Sequence, residues 1–169
     1  MAAIGLMWFK VYLPAFFYAV YFTVRGADID YEAAVGGVRV AKEHLRDNEK
    51  IPKDERTAKD DDALVSLQLV NEMLQRGCQF LPIELGKSYA SKYGVEDGKV
   101  RLPVTAIRGL GEAAAVAVEQ ATIHGQEYIS VEELQQASGV AQSVFDKLHE
   151  VGALGNLPET RQVDLFSLM

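Results

Sequence analysis

Five consecutive residues, Arg108-Gly109-Leu110-Gly111-Glu112, have the composition of a phosphate-binding turn. Two glycines flank one apolar side chain, and backbone without Cβ atoms can approach a phosphate closely. The Ala/Val-rich segment that follows, "EAAAVAVEQA", reads as a helix. The unpaired N–H groups of a helix's first turn carry partial positive charge and point outward along its axis. A contact of that kind grips a sugar-phosphate strand without reading its sequence. The competing reading is an ordinary glycine turn between helices. Ile107 and Arg108 before the glycines, and a weak second copy of the pattern ("ASGVAQSVFDKLHEV" against "IRGLGEAAAVAVEQA"), favour phosphate binding.

The second stretch with chemistry of its own is the closing "RQVDLFSLM", which sets Leu165, Phe166, Leu168 and Met169 on a terminus. Chain ends are ordinarily loose unless tied down. These side chains therefore either fold back on their own core or fill a pocket on another protein. Other polar residues compose no catalytic centre. Asp28 and Asp30 have the D-x-D spacing of a two-metal carboxylate pair, but they follow one helix and precede another, and Asp28 is expected to cap the second. Asp60, Asp61 and Asp62 project about 100° apart on a helix and cannot converge on one ion. Lys10, Arg25 and Arg108 can meet phosphates singly. His44, His124, His149 and the one cysteine, Cys78, lie at no metal-ligand spacing, so no metal site is expected.

These residues must be placed by helices, with one small hairpin. The apolar run Pro14–Val24 opens on a proline suited to a first helical turn. Residues 31–46 read as a helical stretch broken at Gly36-Gly37. After a charged connector, Thr57 and Asp60 form a capping box, Leu64, Leu67 and Leu74 share a face, and Gly77 is a natural stop. Asp97-Gly98, flanked by Val95 and Val100, is a β-hairpin turn. Residues 104–152 then read as short helices linked by glycine turns, the arrangement of a helix-hairpin-helix. Ser130 and Glu133 supply another capping box, and Val140, Val144, Leu148 and Val151 supply an apolar stripe.

Composition narrows the function classes. With 49% apolar residues among 169, the chain can bury a sizeable core. A single cysteine excludes an internal disulfide and suits a reducing compartment. Net charge is −7, unevenly spread: residues 1–85 hold 10 basic and 13 acidic side chains, 86–125 hold 5 and 4, and 126–169 hold 2 and 7. Only the middle stretch, which contains the glycine turn, is net positive, so DNA contact is expected there first. The greasy start "MAAIGLMWFKVYLPAFFYAVYFTVRG" lacks the basic lead-in of a signal peptide. Its uncharged run, Val11–Val24, is 14 residues, short of the ~20 that span a bilayer. It reads as a buried core helix, and its abrupt apolar opening as a cut through a longer protein.

Four segments, "WFKVYLPAFFYAVYFTVR", "NEMLQRGCQFLPIELGKS", "GKVRLPVTAIRGLG" and "LHEVGALGNLPETRQVDLF", in this order and spacing, resemble the C-terminal end of PolC-type DNA polymerase III alpha subunits, the family C replicative polymerases of bacteria. The resemblance covers essentially the whole chain. It implies a mainly α fold with a small β-hairpin: distal fingers helices over residues 1–85, a β-hairpin plus tandem helix-hairpin-helix duplex-binding region over 86–157, and an extended clamp-binding tail over 158–169. It implies that Arg108, Gly109, Leu110, Gly111 and Glu112 meet duplex DNA and that Gln162, Leu165 and Phe166 match the family's Gln-x-x-Leu-Phe motif for the sliding clamp. Lys10 becomes a candidate contact to nucleotide or template. Pro158 and Glu159 are expected to hold the tail off the preceding helix. The family's catalytic carboxylates lie in the palm, which has no counterpart here, so the chain by itself implies no polymerisation and no cofactor, whereas the parent polymerase uses Mg²⁺. The expected partners are duplex DNA, the clamp and the rest of the replicase, in the cytoplasm and without a membrane. The competing readings are a stand-alone, non-enzymatic adaptor that binds DNA and clamp, and an interaction domain that never meets DNA.

Overall fold

The computed structural model describes residues 2–25, 29–123 and 126–159. The apolar start forms two helices, α1 (Ala2–Tyr12) and α2 (Pro14–Arg25), because Pro14 has no N–H to continue the first. Helix α2 buries Ala15, Tyr18, Ala19 and Phe22, the i, i+3, i+4, i+7 face of an amphipathic helix. The expectation of a buried core helix thus holds for α2. It fails for α1, which leaves Ile4, Met7, Trp8 and Val11 more than half exposed. Lys10 ties α1 down: its Nζ lies 2.6 Å from Glu72 Oε1, and the Tyr18 hydroxyl donates to the same oxygen at 2.9 Å. The Lys10 ammonium accordingly holds the Glu72 carboxyl below its usual range.

Asp30 caps the short helix α3 (Tyr31–Val35), accepting from the Ala33 amide at 3.0 Å. This corrects the expectation of Asp28, which lies outside the described residues. The break at Gly36-Gly37 is real: Gly37 has φ +79°, and a Cβ on Gly36 would sit 2.7 Å from the Glu32 carbonyl. Helix α4 (Gly37–Glu49) packs against α5 (Ala58–Gln75), whose Thr57–Asp60 capping box is present in both directions. Helix α5 ends at Gly77, φ +83°, where the amides of Gly77 and Cys78 close onto the carbonyls of Leu74 and Met73.

The hairpin pairs β2 (Gly94–Glu96) with β3 (Lys99–Arg101) through Asp97 and Gly98, both left-handed. Outside the expected hairpin, β1 (Phe80–Leu81) adds a parallel partner to β3, in the order β1-β3-β2. Arg101, 5% exposed, fixes the sheet: its guanidinium donates to Glu96 at 2.6 and 2.8 Å and to the Pro82 carbonyl at 2.9 Å. Phe22 of α2 packs its ring at a tilt against Phe80 and Tyr93, so the sheet and α2 share one core.

A single 3₁₀ turn (Val104–Ala106) leads to α6 (Glu112–Thr122), α7 (Val131–Ser138) and α8 (Gln142–Glu150). Ser130 caps α7, but the returning Glu133 carboxylate takes the Ile129 amide, one residue before the cap. Helix α8 is seated by Phe145 and Leu148. Of the expected stripe, Val140, Val144 and Val151 stay at the margin, because the bulkier Phe145 fills the centre. Among the described residues no helix is long and apolar enough to cross a membrane.

The other Asp30 oxygen lies 2.7 Å from His44 Nδ1 on α4. That hydrogen bond favours the imidazolium and raises the His44 pKa above its ordinary 6.5. The stabilisation is therefore full below the unfolded value and lost as pH rises through the higher folded value. His44→Gln is expected to lower Tm more at about pH 5.5 than at about pH 8.5. Thermal melts across that range check this; a gap that does not narrow with rising pH contradicts it.

Candidate nucleic-acid interface

The glycine turn is held from inside and bare outside. Ile107 and Leu110 are buried at 5% and 7% exposure, and the Leu110 amide donates to the Ile107 carbonyl at 3.1 Å. Between them, Arg108 and Gly109 are exposed, Gly109 at φ +74°. Gly111, φ −72° and ψ 151°, is the N-cap of α6 and makes no side-chain capping bond. Gly111, Glu112 and Ala113 are all exposed, so the first amides of α6 face solvent. The expected helix before the turn is only the one 3₁₀ turn, since just three residues separate Pro103 from Ile107.

Thirty positions on, Gly139-Val140-Ala141 repeats this backbone: Gly139 has φ +65°, and Ala141, φ −65° and ψ 149°, is the N-cap of α8, again without a side-chain cap. Only the first position of each turn needs a left-handed residue. Alanine therefore replaces Gly111 in the second copy without strain, which accounts for its degenerate sequence. Ala141, Gln142 and Ser143 are exposed as well. By contrast Asp30, Thr57 and Ser130 close the N-termini of α3, α5 and α7 with their side chains. The two turns are linked: Lys147 Nζ, on α8, donates to the Gly109 carbonyl at 2.6 Å.

A cleft of about 1210 Å³ opens between α2, α5, the Ser91–Tyr93 loop and the outer edge of the first turn. Arg25, Lys92 and Arg108 line it, together with Asp62 and Glu112. Lys10 is not part of it; its ammonium sits on Glu72. Gln162, Leu165 and Phe166 lie outside the described residues. The segment just before them has a definite place, however. The carbonyls of Pro158 and Glu159 accept from the Val131 and Glu132 amides at 2.9 and 3.3 Å, filling the start of α7. Among the described residues no three His, Cys, Asp or Glu side chains come together as a metal-binding set. Gly139 was recognisable as the glycine of the weak second copy, "ASGVAQSVFDKLHEV". Lys147 was not, because its partner lies 38 residues away.

The helix-hairpin-helix motif family matches residues 77–163, just over half of the chain, including both glycine turns. The chain belongs to the helix-hairpin-helix family. Its curated relatives are named DNA polymerase III PolC-type. The protein from Streptococcus agalactiae is 36% identical over 165 residues, 97% of this chain and 11% of its own length. That of Streptococcus thermophilus is 34% identical over 167 residues, 98% of this chain and 11% of the relative. That of Streptococcus pyogenes is 33% identical over 165 residues, with 97% and 11% covered. The resemblance to PolC-type polymerases is therefore borne out, and the chain spans 11% of the length of the relatives it matches.

The two glycines of the first turn respond differently to a methyl group. At Gly109 the left-handed φ costs an L-residue about 1–2 kcal/mol, and the new Cβ would lie 2.9 Å from Lys147 Nζ. At Gly111 nothing lies within 4 Å. Gly109→Ala is expected to lose about 1–2 kcal/mol of unfolding free energy, and Gly111→Ala to stay within about 0.5 kcal/mol. Urea titration compares them; equal losses contradict the assigned backbone.

Proposed function

We propose that this chain is the duplex-gripping part of a PolC-type bacterial replicative DNA polymerase, and that its two glycine turns hold phosphates independently of sequence. The observation that carries this reading is the repeated backbone at Gly109–Gly111 and Gly139–Ala141, each opening a helix whose amides no side chain caps. Arg108 adds an exposed cation beside the first turn. An anion at one helix N-terminus is worth only about 0.3–1 kcal/mol, so two such turns acting together make a more useful grip than either alone. Similarity to polymerases about nine times as long supports a division of labour: the Mg²⁺-dependent chemistry belongs to the remaining length, and this part keeps the product helix in place. The exposed apolar side chains of Met7, Trp8 and Phe16 on α1 and α2 suit contact with that remainder. The cytoplasm is the compartment this role requires.

The closing Gln162, Leu165 and Phe166 fit a peptide that fills an apolar pocket on the sliding clamp. A peptide interface that small is weak alone, but tethering to DNA-bound polymerase raises its effective concentration. The fixed position of Pro158 and Glu159 at the start of α7 supports a tail that leaves from that end of the helix, opposite the second turn.

Two substitutions test the grip without unfolding the chain. Aspartate is a favoured N-cap, so Gly111→Asp is expected to gain a few tenths of a kcal/mol and Ala141→Asp about 1 kcal/mol of stability. Each also consumes the open amides and sets a carboxylate where a phosphate would bind, so duplex affinity is expected to fall at least about tenfold. Tm and fluorescence anisotropy with a short duplex at low salt give the two readouts. Unchanged affinity in both variants contradicts the proposed grip. For the tail, deletion of Gln162–Met169 is expected to abolish clamp binding with Tm unchanged; a large fall in Tm favours a tail folded onto its own core.

A further inference from the structure

Lys147 belongs to α8, the helix opened by the second turn, yet its ammonium rests on the carbonyl of Gly109 in the first. The contact is short, 2.6 Å, and crosses 38 residues of sequence. It also falls on the one residue of the first turn whose conformation is left-handed and whose carbonyl direction sets where the following amides point. No acidic side chain pairs with Lys147 among the described residues, so the backbone carbonyl is its assigned partner. Its neighbours on α8, Phe145 and Leu148, are fully buried, so the helix that carries it is held. Helix α6 also packs on α7, and α7 on α8.

We infer that Lys147 is a positioning residue that fixes the spacing of the two glycine turns, so that both helix N-termini meet one duplex at the same time. The inference rests on the proposed duplex grip. With the brace in place, binding at one turn presents the other at high effective concentration. Without it, each turn keeps its own backbone, since both conformations are set locally by Gly109 and Gly139, but the pair no longer engages together.

The test uses the whole 169-residue chain and a short duplex of arbitrary sequence. Lys147→Met keeps the apolar stem and removes the donor; Lys147→Arg keeps a donor. Lys147→Met is expected to weaken duplex binding about tenfold with Tm nearly unchanged, and Lys147→Arg to recover most of the loss. The deciding measurement is a double-mutant cycle with Ala141→Asp, which costs about tenfold when Lys147 is present and little once Met replaces it, because the second turn is already out of register. Two outcomes overturn the inference. One is wild-type affinity in Lys147→Met. The other is a Lys147→Met loss that multiplies with that of Ala141→Asp, as a lysine contacting phosphate by itself would give. Failure of the grip itself has a different signature: Gly111→Asp and Ala141→Asp then leave duplex binding intact, and the brace has nothing to align.

Discussion

The first turn depends on one buried leucine between two bare glycines. Leu110, with Ile107, is drawn into the core and fixes the loop against the body of the protein. Gly109 supplies the left-handed step that lets the chain reverse immediately, and Gly111 starts α6 with no side chain over its amides. The hydrophobic effect thus holds the loop rigidly enough for weak polar groups to be presented in a fixed direction. Rigidity matters because a helix N-terminus gives an anion little energy, and a floppy one would lose most of that in ordering.

The same logic separates the helix starts into two groups. Where an N-terminus serves the fold, the sequence closes it: Asp30 for α3, Thr57 with Asp60 for α5, and Ser130 together with the Pro158 and Glu159 carbonyls for α7. Gly111 and Ala141 stand at the caps of α6 and α8 without a side-chain cap; Gly36 before α4 has none either, but there α3 runs directly into α4 and the Gly36 amide closes onto the Glu32 carbonyl. A cap residue contributes about 1 kcal/mol, so two omitted caps are a cost in stability that a partner anion would offset. A net charge of −7 repels DNA at long range, which leaves local geometry, rather than overall attraction, to decide whether a phosphate is held.

What the sequence made legible was what neighbours along the chain decide. The Thr57 box, the Asp97-Gly98 turn, the stop at Gly77 and the break at Gly36-Gly37 each follow from residues within a few positions of one another, and each stands as read. Features built from distant partners were not visible. The strand β1 is two residues long and exists because β3 runs beside it. On α8 the buried residues are Phe145 and Leu148, while the valines of the expected stripe stay at the margin. Lys147 gave no sign of its bond to Gly109. Asp30, the cap of α3, also meets His44, fourteen positions away, a partner that the local sequence does not show.

Amide-resolved NMR during titration with two short duplexes of unrelated sequence tests the central claim most directly. The account predicts that the largest shifts fall on the backbone amides of residues 109–113 and 139–143, in both titrations alike and diminishing with added salt. Shifts that spare both turns, or that differ in location between the two duplexes, would contradict it.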